Sequence, residues 1–93
     1  MRTIKYASKF KRDYKREKSG RHGRDVVALL GEVVRQLVVD QPLLRKNFDH
    51  SLSGNWLDCR DCHIRPDLIL IYRKVGDDIL ELVRLGSQSE LGL

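Results

Sequence analysis

Three polar residues in the second half of the chain, His50, His63 and Asp67, have types suited to moving protons. His63 falls near the end of one strand-like run and Asp67 at the start of the next. The hairpin between these runs brings the two residues to one sheet edge. His50 lies in the preceding loop, ahead of Gly54 and Trp56, and can fold over the same surface. Arg60 and Asp61 lie on the first run, and Arg84 lies on the last. Histidine, aspartate and arginine on an open sheet suit phosphodiester cleavage by the 2′-OH of RNA. One group takes the hydroxyl proton, another protonates the leaving 5′-oxygen, and a cation steadies the phosphorane. Histidine fits either proton transfer because its unperturbed pKa is about 6.5. Spacing alone also admits a plainer reading, with solvated loop histidines and Asp67 as a turn residue after Pro66. By the same reading Trp56 is a core residue rather than a stacking platform.

Cys59 and Cys62, the only cysteines, run directly into His63 and so match the c-type haem attachment pattern C-x-x-C-H. Haem attachment requires export, and the basic start of the chain, with no apolar segment after it, is not expected to act as a secretory signal. One C-x-x-C with one adjacent histidine also leaves a tetrahedral zinc site incomplete. On a strand the two cysteines point to opposite faces. Two reduced thiols are expected, with no metal and no cofactor.

The residues around this group divide into elements. Arg2 to Tyr6 reads as a short strand, and Ser8 can cap a helix that runs to about Lys18, with Phe10 and Tyr14 on one side. Ser19, Gly20, His22 and Gly23 break that helix. A second helix covers Arg24 to Val39, where Val26, Val27, Leu30, Val33, Val34, Leu37 and Val38 form an apolar stripe. Residues 43–55 read as a loop. The period then becomes strand-like over Trp56 to Ile64, Leu68 to Val75 and Ile79 to Leu85, with turns at Arg65-Pro66-Asp67 and Gly76-Asp77-Asp78. The order β-α-α-β-β-β implies an α+β domain: two N-terminal helices on one face of a small, largely antiparallel four-stranded sheet. The opposite face is expected to stay open as a shallow binding surface.

Ninety-three residues allow one domain, spanning residues 1–93. With 41% hydrophobic and 33% charged residues, the composition is that of a folded domain rather than a disordered one. No apolar run approaches the roughly 20 residues of a membrane span, so a cytoplasmic protein is expected. The charge is uneven. Residues 1–24 carry ten Lys/Arg and two acidic residues (+8), whereas residues 25–93 carry eight and eleven (−3), which together give +5. Most of the excess lies on the first helix, at Lys9, Lys11, Arg12, Lys15, Arg16 and Lys18. Such a segment attracts nucleic acid or an acidic partner, although a solvated helix face would look the same.

Three linked motifs resolve part of this ambiguity. They are Asp49-His50-x-Leu52-x-Gly54-x-Trp56, then Arg60-Asp61-x-His63-x-x-Pro66-Asp67-x-x-Leu70-Ile71-Tyr72, then Arg84-x-Gly86-Ser87. In this order and spacing, over roughly residues 48–91, the chain resembles the YafQ-like branch of the RelE superfamily of bacterial type II toxins. The resemblance implies a RelE-like fold and a toxin that cuts mRNA in the ribosomal A site. Its implied partners are mRNA on the ribosome, with contacts to ribosomal RNA, and a cognate antitoxin. It also implies that His50, His63 and Asp67 are catalytic with Asp61 in support, and that Arg60, Arg84 and the basic helix meet RNA. The chain departs from the pattern at Gln88, where the family carries a further catalytic histidine, and at Leu91-Gly92-Leu93, where the family carries an aromatic residue. Glutamine cannot exchange a proton near neutral pH. The alternative reading is therefore a catalytically weakened or silent protein that binds RNA, ribosome or antitoxin.

Overall fold

The computed structural model describes all residues, 1–93. Strand β1 (Thr3–Tyr6) is followed by helices α1 (Ser8–Lys18) and α2 (Gly23–Val38). Then come β2 (His50–Ser51), β3 (Arg60–Arg65), β4 (Leu68–Val75) and β5 (Ile79–Gly86), with 3₁₀ turns at Arg45–Asn47 and Gly54–Trp56. The strands form one sheet in the order β1-β5-β4-β3-β2. β1 runs parallel to β5, and every other pairing is antiparallel. The α+β class is as expected, but the sheet has five strands rather than four. The additional strand is the two-residue β2, too short to show any period.

Both helices cover one face of the sheet. From the expected stripe of α2, Val26, Leu30, Val33, Leu37 and Val38 are buried against Ile64, Leu68, Leu70, Leu80, Leu82 and Leu85, whereas Val27 is exposed. Burying one such side chain contributes about 1.5–3 kcal/mol, so this stripe accounts for much of the stability. From α1, Phe10 enters the same core with Tyr14 stacked beside it at 5.8 Å. Ser8 is the first helical residue rather than the cap; Ala7 occupies the cap position and makes no side-chain bond there.

The other face is not fully open. Ile69, Ile71 and Cys59 are buried beneath Leu91, with Trp56 and Leu93 packed alongside. The Trp56 indole N–H donates to the Leu91 carbonyl at 3.3 Å, which ties the C-terminal turns to the loop before β3. The strand expected from Trp56 begins only at Arg60. Trp56 closes a 3₁₀ turn and Asp58 has φ 71°, a left-handed backbone that a strand cannot contain. Cys59 joins this smaller cluster and Cys62 the main core. The thiols are free and lie on opposite faces, and burial raises both above the usual thiol range.

Candidate active site

β3 is the platform of the site. Its alternation sends Cys62 and Ile64 into the helix-covered core, which leaves Asp61 and His63 on the other face. β2 pairs with only the first part of β3, His50 opposite Asp61 and Ser51 opposite Arg60. Beyond Asp61 the edge is taken up by a side chain, as Asn47 Nδ2 donates to the His63 carbonyl at 2.8 Å. Asp49 holds the other side of the same loop, accepting from the Tyr72 hydroxyl at 2.6 Å and from Arg60 Nε at 3.2 Å. Tyr72 is buried in the core, so the backbone on either side of Phe48 is fixed to the sheet.

His50 then has one available place. Its Nδ1 lies 2.9 Å from the Phe48 carbonyl and its Nε2 lies 3.0 Å from Asp61 Oδ1, while 57% of its side chain remains exposed. A carbonyl can only accept, so Nδ1 carries a hydrogen. Nε2 therefore faces a buried carboxyl oxygen that has no hydrogen-bond partner of its own. Asp61 is only 3% exposed, and burial pushes its carboxyl above the ordinary range against the pull of His50 and His63. An exposed histidine backed by a buried carboxyl that resists ionisation can take up or release a proton at the surface. His63 lies on the same face of β3, with its ring meeting Phe48 edge-on at 5.5 Å.

Asp67 and Gln88 form a second group. Asp67 is in the β3–β4 turn with 83% of its side chain exposed and Arg65 Nε at 3.8 Å. Together with Pro66, Ser87, Ser89 and Leu93 it lines a shallow concavity of 480 Å³ that includes Gln88. Gly86 and His63 flank Ile69 in register, so this concavity opens across β4 from His63. No hydrogen bond links Asp67 or Gln88 to either histidine. The expected residues thus occupy one face as two adjacent groups.

The cations divide similarly. Lys9, Lys11, Arg12, Lys15 and Lys18 are exposed along α1. Arg16 is engaged by Glu90 at 2.9 Å, Glu17 at 3.1 Å and Asp13 at 3.6 Å. Arg84 is in register with Ile71 and Asp61, but its guanidinium reaches α1 and donates from Nε to Asp13 at 2.7 Å. Arg60 is paired with Asp49 yet keeps 43% of its side chain exposed.

Sequence reasoning missed the supports. Asn47, which braces the loop, has no signal in a segment without periodicity. Asp13 has one: it lies three residues after the buried Phe10, on the inward side of α1.

Comparison with known proteins identifies the family. The family model described as "Bacterial toxin of type II toxin-antitoxin system, YafQ" matches residues 2–92. The mRNA interferase toxin YafQ of Escherichia coli is 31% identical over 90 residues, covering 97% of this chain and 95% of that protein. Among solved structures, an E. coli YafQ mutant with glutamine in place of a histidine superposes with a TM-score of 0.84 at 34% identity, covering 98% of each chain. YafQ in the E. coli DinJ-YafQ toxin-antitoxin complex superposes with a TM-score of 0.82 at 34% identity, covering 97% of this chain and 96% of that one. With matching motifs, fold and nearly full-length similarity, the chain belongs to the YafQ family of bacterial type II toxins.

Proposed function

We propose that this chain is a ribosome-dependent mRNA endonuclease that halts translation by cutting mRNA in the ribosomal A site. The observation that supports this most directly is the His50–Asp61 pair, an exposed imidazole 3.0 Å from a buried carboxyl oxygen, beside His63. RNA supplies its own nucleophile, so the protein needs only to take a proton from the 2′-OH, return one to the 5′-oxygen and offset charge on the phosphate. His50, His63 and Asp67 act on the 2′-OH proton and the phosphate, Asp61 positions His50, and a proton donor to the 5′-oxygen is what Gln88 does not supply. Arg60 is the nearest of the expected cations along the chain and sits beside Asp61. The relatives' names support the reaction class, and the DinJ-YafQ complex supports a cognate antitoxin as partner. No helix is long and apolar enough to cross a membrane, and the proposed site of action is the cytoplasm, where ribosomes are.

The test is cleavage of mRNA on programmed ribosomes. Alanine at His50, His63 or Asp67 will reduce the appearance of new mRNA ends by about 10²–10⁴-fold, the contribution of a general acid or base. Melting temperatures will stay within a few degrees, because none of the three side chains is part of the core. Undiminished cleavage would overturn the site, and no cleavage by the parent would favour the silent binder. That second reading rests on Gln88, an exposed amide at the family's histidine position.

The exposed cations of α1 contact ribosomal phosphates in this reading. Glutamine at Lys9, Lys11, Arg12 and Lys15 will weaken ribosome binding and flatten its salt dependence by about one unit of slope per lost contact. Arg16 is left intact because its partners tie α1 to the C-terminal turns. An unchanged slope would place α1 away from the ribosome.

A further inference from the structure

Phe48 is the one aromatic residue at the candidate site that the fold exposes, with 64% of its surface in solvent. It also has φ 48° and ψ 47°, a left-handed backbone that disfavours a bulky side chain. Asn47 on one side and Asp49 on the other are hydrogen-bonded to β3 and to Tyr72, so this conformation is held from both ends. Strain maintained by its surroundings next to candidate catalytic groups is a reason to look for a function. The Phe48 carbonyl orients His50 through Nδ1, and its ring abuts His63. The ring also forms one wall of a groove of 440 Å³ between α2 and β3, with Leu44 and Pro66 as apolar lining and Glu32, Gln36 and Lys46 as polar groups.

We infer that Phe48 is the platform on which the nucleobase next to the cleaved phosphodiester stacks, so that its phosphate comes to rest between His50 and His63. This rests on the proposed RNA cleavage. Single-stranded RNA is held largely by unstacked bases placed on aromatic faces, and every base has such a face. Lys46 supplies a cation for the adjoining phosphate, and Glu32 and Gln36 present acceptors and donors to a base edge. The occupant is thus a nucleotide rather than an apolar peptide, which would leave these polar groups unpaired.

The experiment is single-turnover cleavage on programmed ribosomes by the parent, Phe48→Ala, Phe48→Leu, Phe48→Trp and Phe48→Asn. Loss of one stack lowers kcat/KM by roughly 5- to 150-fold. Alanine, leucine and asparagine all show that loss, because leucine keeps the bulk but not the π face. Tryptophan retains parental activity. Asparagine tolerates the left-handed backbone, so its melting temperature holds while cleavage falls; a structural role would lower both together. Leucine matching phenylalanine, or cleavage falling only with stability, would overturn the inference. Unchanged cleavage with weakened antitoxin binding by Phe48→Ala would assign the groove to the antitoxin and overturn it as well. A parent that cuts nothing would instead overturn the proposed function beneath it.

Discussion

Alanine at Asp13 will lower stability by about 3 kcal/mol or more, the effect of removing one partner from a buried charged pair. In a chain of this size that shifts the melting temperature by about 12 °C or more. Asp13 is 1% exposed and accepts from Arg84 Nε at 2.7 Å, from Arg84 Nη2 at 3.4 Å and from the Leu85 N–H at 3.0 Å. Truncation would leave a guanidinium and a buried amide without their acceptor where α1 meets β5. Asparagine retains an acceptor for Leu85 but no charge for Arg84, so its loss will be smaller. The pH dependence has a defined sign. Burial raises the Asp13 carboxyl, but the Arg84 and Leu85 hydrogen bonds and the charges of Arg84 and Arg16 outweigh it and hold the group below its ordinary value. Its stabilisation is therefore present above the unfolded pKa and lost as pH falls through the lower folded one. Thermal unfolding of parent and Asp13→Asn across acid pH checks this: the two curves will converge as pH falls. Parallel curves would show that the carboxylate is not the stabilising form.

Gln88→His will raise ribosome-dependent cleavage by about 10²–10⁴-fold, the scale of general acid catalysis. Gln88 is exposed in the concavity that includes Asp67, so a new imidazole needs no rearrangement of the core. An amide can hold RNA but cannot donate a proton, whereas histidine, at an unperturbed pKa of about 6.5, does both near neutrality. Fold and ribosome affinity will stay the same because only a proton donor is added. Growth arrest on expression without antitoxin is the independent readout. Equal cleavage by both proteins would mean that His50 and His63 complete the reaction without an acid at position 88.

Burial made the helices and long strands legible. Val26, Leu30, Val33 and Leu37 repeat at helical spacing because one face of α2 meets the core. β4 reads as a continuous apolar run from Leu68 to Tyr72 because both its faces are covered. Residues 45–58 lack any such period. Their shape depends on left-handed backbone at Phe48 and Asp58 and on the side-chain anchors at Asn47 and Asp49. The sequence grouped His50 with His63 and Asp67, whereas β2, too short to show a period, sets His50 against Asp61 and leaves Asp67 beside Gln88. It could not show that Arg84 turns to Asp13 or that Arg16 is taken by Glu90, because those partners lie 71 and 74 residues away. An acid in a basic helix looks like a local ion pair until α1 is laid against β5.

The parallel pairing of β1 with β5 joins the first element of the chain to the last, Thr3 beside Ile79 and Tyr6 beside Leu82. α1 also depends on β5, through Asp13 and the Leu85 amide. During synthesis β1 therefore lacks its strand partner, and Asp13 its ligands, until residues 79–86 emerge. Contacts this distant in sequence must first overcome loop-closure entropy, which delays assembly further. The strand and basic helix that open this toxin thus reach their final packing only once β5 is in place.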